Sequence, residues 1–192
     1  HQPMYDIGQG AAAIGNDSQI VSYETAFTNA GLQINPTMVS FYEGLKGTYT
    51  PGYAGSYTGC GTVTVGEVPQ SEYTSVQTNS FSGYGDAAII FFERNIGEGG
   101  DLADDPSSQY LNSDGVHDAL QFNNDERALI SMAKSHFSKV IVLLDNSNPF
   151  EIGDLLSGSL SVDAVMWVGA VGCNGTKGIA DLIVGNTSPS GG

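Results

Sequence analysis

Three short, unbroken apolar runs dominate what this chain can fold into: Ala87 to Phe92 inside the segment Asp86–Glu93, Val140 to Leu144, and Ala164 to Val168. A strand with one face in water alternates apolar and polar residues, whereas a run that is apolar at every position needs cover on both faces. The stretches between and after these runs supply that cover. Asn124–Phe137 places Ala128, Leu129, Met132 and Ala133 along one helical face, and Gly175–Val184 reads as a further helix stopped by Gly185 and Pro189. With a short helix between the second and third runs, the order is strand, helix, strand, helix, strand, helix. That order is the pattern of a parallel sheet covered on both sides.

The expected fold class is therefore α/β, a three-layer sandwich with a mostly parallel β-sheet between helices, layered as in flavodoxin-like proteins. Ahead of the sheet, Ser22–Leu32 reads as a helix through Tyr23, Ala26, Phe27 and Ala30, with Gly31 as its stop. Asn35-Pro36 opens a second, Thr37–Leu45. Residues 47–69, rich in Gly, Tyr and Thr, read as a long excursion from the domain. There is no internal repeat, and 192 residues suit a single domain, 1–192, with its own core. The start at His1 reads as a processed or cut-out chain or equally as the residue of a removed tag, and the tail Ser188-Pro189-Ser190-Gly191-Gly192 as a linker or a cut point.

Composition narrows the partners. Six basic residues against 21 acidic ones give a formal charge of −15, which repels phosphate backbones and anionic lipid, so neither nucleic acid nor membrane is an expected partner. The longest apolar run is also far short of a bilayer span. Cys60 and Cys173 stand 113 positions apart with no Cys/His ligand pattern around them. They are read as free thiols, one disulfide being the alternative, and no metal or other cofactor is expected. An acidic, Lys-poor chain leans towards an extracellular rather than a cytoplasmic setting. Three Asn-x-Ser/Thr sequons, at Asn16, Asn174 and Asn186, do not fix that setting.

In open parallel sheets, ligands bind outside the carboxyl ends of the strands, so the loops that follow strands are where chemistry is sought. After the first run comes Arg94-Asn95-Ile96-Gly97-Glu98-Gly99-Gly100-Asp101-Leu102. Its glycines leave Glu98 little shielded, and such a carboxylic acid can protonate a leaving oxygen; a solvated acidic loop is the plainer reading. After the second run, Asp145-Asn146-Ser147-Asn148-Pro149 reads as a turn whose Asp and Asn side chains bond the local backbone. Gly169–Gly175 lacks the Lys and hydroxyl of a phosphate loop and reads as close strand-to-helix packing. Gly8-Gln9-Gly10 lacks the hydroxyls of a flavin phosphate loop, which weakens an electron-carrier reading. Asp101, Asp104 and Asp105 match no EF-hand spacing. His1, His117 and His136 accompany no nucleophile motif, and His136 suits a helix C-terminus.

Three blocks then carry a family resemblance. "AAIIFFERNIGEGGDL" resembles the strand and loop of the C-terminal α/β sandwich domain of glycoside hydrolase family 3, where an apolar strand runs into Arg, Ser-Gly-Glu-Gly and Asp-Arg. "DERALISMAKSHFSKVIVLLDNSNPFEI" is similar to that family's next helix and Val-rich strand. "VDAVMWVGAVGCNGTKGIADLIVGNTSPSG" is similar to its last unit, with a Trp-containing strand, a Gly-rich turn and an Asn-Pro-Ser-Gly exit. The earlier stretch "FTNAGLQINPTMVSFY" is similar to members whose sandwich domain precedes the barrel. This resemblance implies retaining hydrolysis of terminal β-linked sugars, with an Asp nucleophile on a TIM barrel and a Glu acid/base from the sandwich domain. Glu98 holds the matching position; Arg94, Asp101 and Asp145 match positions with structural or substrate-adjacent roles.

The sequence also departs from that pattern. Ile96 stands where Ser is usual, Leu102 where Arg is usual, and Ala170-Val171-Gly172-Cys173 where Pro-Gly-Gln-Glu is usual. A retaining glycosidase needs two carboxylates about 5 Å apart, and no barrel fits in 192 residues. The nucleophile is therefore expected on a barrel segment outside this sequence, with a β-linked saccharide and that barrel as the partners. The chain alone is expected to hydrolyse nothing measurable. Two readings compete: a non-catalytic carbohydrate-binding or scaffold domain, favoured by Ile96 and Leu102, and a flavodoxin-like carrier.

Overall fold

The computed structural model describes residues 20–49, 52–56, 59–94, 114–118, 120–146 and 149–190. Its centre is a parallel three-stranded sheet of β3 (Ala88–Arg94), β4 (Val140–Asn146) and β5 (Ala164–Trp167), in spatial order β3-β4-β5. β1 (Gly52–Ser56) and β2 (Gly59–Thr64) form a separate antiparallel pair, with an irregularity between Ala54 and Ser56. The helices are α1 (Tyr23–Asn29), α2 (Pro36–Gly44), α3 (Ser75–Ser80), α4 (Asn124–His136), α5 (Gly153–Leu156) and α6 (Thr176–Ile183).

Strand alternation sorts the apolar runs into two cores, one per face of the sheet. From β3 and β4, Ile90, Phe92, Val140, Val142 and Leu144 pack with Phe122, with Ile130 and Ala133 of α4, and with Leu155 of α5. The intervening residues Ile89, Phe91, Ile141 and Leu143 face Tyr23, Ala26 and Phe27 of α1 and Ala180 of α6. Helices on both faces make this the three-layer α/β sandwich that the apolar runs require.

Local chemistry sets the helix ends. At α4, Asn123 Oδ1 accepts the Glu126 amide at 2.9 Å while Glu126 Oε2 accepts the Asn123 amide at 2.8 Å, a reciprocal capping box. Asp125 and Glu126 lie in the first turn and Lys134 and His136 in the last, each suited to the helix dipole. The α1 and α6 layer is fastened across the chain: the Val21 amide donates to Cys173 O at 2.8 Å, and Thr176 Oγ1 donates to Val21 O at 2.8 Å. Cys173 is a half-buried free thiol.

Two segments differ from the expectation drawn from sequence. The 47–69 excursion is not irregular throughout, since it carries the β1–β2 pair before returning to the domain at the buried Val68. β4 also continues two residues beyond Leu144. Asp145 and Asn146 are strand residues in parallel register with Glu93 and Arg94, and both are fully buried rather than set in an open turn.

Candidate functional site

The carboxyl ends of β3, β4 and β5 bring Glu93, Arg94, Asp145, Asn146 and Trp167 to one edge of the sheet. Glu98, Asp101, Asp104, Asp105 and the Gly8–Gly10 loop lie outside the described residues. What the structure provides is the stem from which the segment carrying Glu98 departs, and that stem is Arg94.

Arg94 is 1% exposed and sits on the α4 side of the sheet. Its guanidinium forms a two-point pair with Glu126, Nη1 to Oε1 at 2.7 Å and Nη2 to Oε2 at 2.8 Å. Nη2 also donates to Gln121 O at 2.9 Å, Nη1 to Glu93 O at 3.1 Å, and the cation lies 4.4 Å from the Phe150 ring centroid. A fork of fixed donors suits this arrangement and a lysine does not. One side chain thus ties the end of β3, the approach to α4, the first turn of α4 and the segment after β4. Glu126 serves both that pair and the capping box. Nothing in the sequence reading singled it out, although the Asn123-x-x-Glu126 spacing is a helix-start signal.

Asp145 occupies the opposite face, with the α1 side chains. Its strand neighbour in register is Glu93, and both carboxylates act on the Tyr23 phenol. Burial first, then the charge of Asp145 and a hydrogen bond to it, then Glu93, push that phenol far above its ordinary pKa and keep it protonated. Tyr23 is anchored below by Phe91, with ring centroids 4.5 Å apart. Arg94 and Asp145 therefore share an edge but not a cluster, because adjacent register positions point to opposite sides of the sheet.

Two more polar clusters flank α4. Asp114 Oδ1 accepts the Val116 and His117 amides at 2.9 and 3.0 Å, and Oδ2 meets His117 Nδ1 at 2.7 Å and the Asn124 amide at 2.9 Å. Burial opposes the charge of Asp114, but these bonds outweigh it and hold the carboxyl well below the usual carboxylate range. His117 thus has a carboxylate partner that sequence inspection did not identify. His136 lies in the last turn of α4 with its ring edge-on to Phe81, centroids 5.2 Å apart.

The other cluster links α2 to the segment after β2. The Tyr42 and Tyr73 hydroxyls meet at 2.5 Å, and Tyr42 also bonds the Glu67 carboxyl, whose Oε1 accepts the Val68 amide at 2.8 Å. Burial pushes Glu67 up to about 8; the Val68 amide opposes this, and Glu126 and Asp125 add to it. Among the described residues no three His, Cys, Asp or Glu side chains converge as a metal site, and no helix is long and apolar enough to cross a membrane.

The fold is a three-layer α/β sandwich on a parallel sheet, the class of fold in which ligands, where they bind, sit outside the carboxyl ends of the strands. The profile of the glycosyl hydrolase family 3 C-terminal domain matches residues 4–192, and the chain belongs to that family. A β-glucosidase of Ruminococcus albus is 26% identical over 190 residues, which are 97% of this chain and 18% of that protein. The β-glucosidase cel3A of Pyricularia oryzae is 32% identical over 106 residues, 55% of this chain and 14% of that protein. In fold, the chain is similar to a β-glucosidase from Paenibacillus barengoltzii, with a TM-score of 0.59 and 24% identity over 90% of this chain and 17% of that one. The chain thus spans less than a fifth of the length of the relatives it matches.

Proposed function

We propose that these 192 residues are the α/β unit of a larger retaining β-glucosidase-like enzyme, and that Glu98 is its general acid/base. The family match over residues 4–192 carries this reading, together with relatives named β-glucosidase at least five times longer than the matched part. The position of Glu98 supports its role. In the sequence it follows four residues after Arg94, the last residue of β3 at the carboxyl edge of the sheet, where ligands of open parallel sheets bind. Arg94 and Asp145 are then the residues that shape this edge, and the partner is a TIM-barrel segment that supplies the nucleophile.

In the proposed reaction the barrel carboxylate attacks the anomeric carbon of a terminal β-linked sugar while Glu98 gives its proton to the departing oxygen. Water then hydrolyses the glycosyl-enzyme, with Glu98 taking a proton back. The test uses the full-length polypeptide that carries this domain, assayed on p-nitrophenyl β-glucoside as wild type and as Glu98→Ala. A loss of about a hundredfold or more, partly restored by azide, supports the assignment. An unchanged rate removes Glu98 and leaves the domain as a binding or scaffold unit, the reading that Ile96 and Leu102 favour.

A further inference from the structure

Trp167 is the only tryptophan in the sequence, and it ends β5 at the carboxyl edge of the sheet with 65% of its surface exposed. It is nevertheless fixed. Its indole N–H donates to the main-chain oxygen of Asn146 at 2.7 Å. The six-membered ring lies beside Gly169, whose φ of +60° turns the chain away and where an added Cβ would stand 3.6 Å from Cζ2. The one polar atom of the indole is thereby already satisfied inside the protein. What remains for a partner is an aromatic face, held in place at no further cost in side-chain entropy.

From this geometry we infer that Trp167 is a stacking platform for a glucosyl ring of a β-linked saccharide, in a subsite on the β5 side of the sheet edge. A β-glucosyl ring presents a face of C–H groups with its hydroxyls around the rim, so it covers an indole face without leaving its own polar groups dry. The ligand must be neutral or cationic, because a chain with a formal charge of −15 repels anionic sugars. The class of ligand rests on the β-glycoside reading above, whereas the platform itself rests on Trp167, Asn146 and Gly169. Binding to one face is weak, with a dissociation constant on the order of 1 mM or higher.

A single tryptophan gives one indole N–H resonance, so the test needs no assignment. The 192-residue chain is titrated with cellobiose, with sorbitol as the control, by 15N-correlated NMR. The inference predicts a saturable shift of the indole resonance with cellobiose and not with sorbitol. In calorimetry or saturation-transfer NMR, Trp167→Ala weakens cellobiose binding at least about tenfold, while Trp167→Phe retains most of it. No saturable shift, or equal binding by Trp167→Ala, overturns the platform and leaves the Glu98 assignment untouched. In the full-length polypeptide, a Trp167 shielded from acrylamide in the absence of sugar also overturns it, because the rest of the enzyme then covers the face.

Discussion

Replacing Glu126 by Gln tests the hub beneath the candidate site with little change of volume. Gln at this position still accepts the Asn123 amide and so keeps the capping box, which isolates the loss of charge opposite Arg94. Arg94 then keeps two carbonyl acceptors and the Phe150 ring but stays a cation at 1% exposure. Removing one partner of a buried pair costs about 3–5 kcal/mol, and the remaining acceptors place this case near 3. For a chain of this size that lowers Tm by roughly 6–12 °C. Arg94→Met alone strands the Glu126 carboxylate and costs as much or more. The double variant, with no buried charge left uncompensated, is more stable than the sum of the single losses by about 1–3 kcal/mol. Urea and thermal unfolding followed by far-UV circular dichroism give all four corners of the cycle. A Glu126→Gln loss under about 1 kcal/mol, or strict additivity, refutes the claim that this pair holds the sheet edge together.

The Glu67 cluster predicts a pH dependence of definite sign. Its folded-state pKa of about 8 lies above the ordinary 4.5, so its contribution is fully present below pH 4.5 and is lost as pH rises through 8. At about 1.4 kcal/mol per pH unit the loss is at most on the order of 5 kcal/mol, and Glu67→Gln flattens urea-midpoint profiles between pH 5 and about 8.5. Equal pH slopes in wild type and variant contradict it. Gly175→Ala sets a Cβ 2.3 Å from Val171 O in the turn that fastens Val21 and Thr176, at a φ of −64° that any residue adopts. A loss of about 1–3 kcal/mol by thermal unfolding is expected from the clash alone; an unchanged Tm would mean that the turn yields without cost.

The sheet was legible because β3, β4 and β5 are apolar at nearly every position, and only two-sided burial rewards that. α4 was equally plain from its Leu129, Met132 and Ala133 stripe. The end of β4 was not. Asp145 and Asn146 are turn-forming residue types, and only parallel pairing with Glu93 and Arg94, a contact some fifty residues away in sequence, carries them into the strand. α3 passed unnoticed because Ser75–Ser80 has no apolar stripe, although Thr74 and Gln77 form the capping box that starts it. The β1–β2 pair was hidden by glycines that blur alternation. At the site, Arg94 was visible as a position and Glu126 was not, since which carboxylate a buried arginine meets is decided by packing.

A proton delivered by Glu98 to the leaving group makes the effect of its removal depend on how basic that leaving group is. Wild-type and Glu98→Ala full-length polypeptide are compared on 2,4-dinitrophenyl, p-nitrophenyl and phenyl β-glucosides by kcat/KM, which reports glucosylation and not the later hydrolysis in which Glu98 also acts. A dinitrophenolate leaves without protonation and a phenolate does not, so the account predicts the first glucosylation step to be nearly intact for the former and slowed at least about a hundredfold for the latter. Equal losses on all three substrates would contradict it and place the proton donor elsewhere.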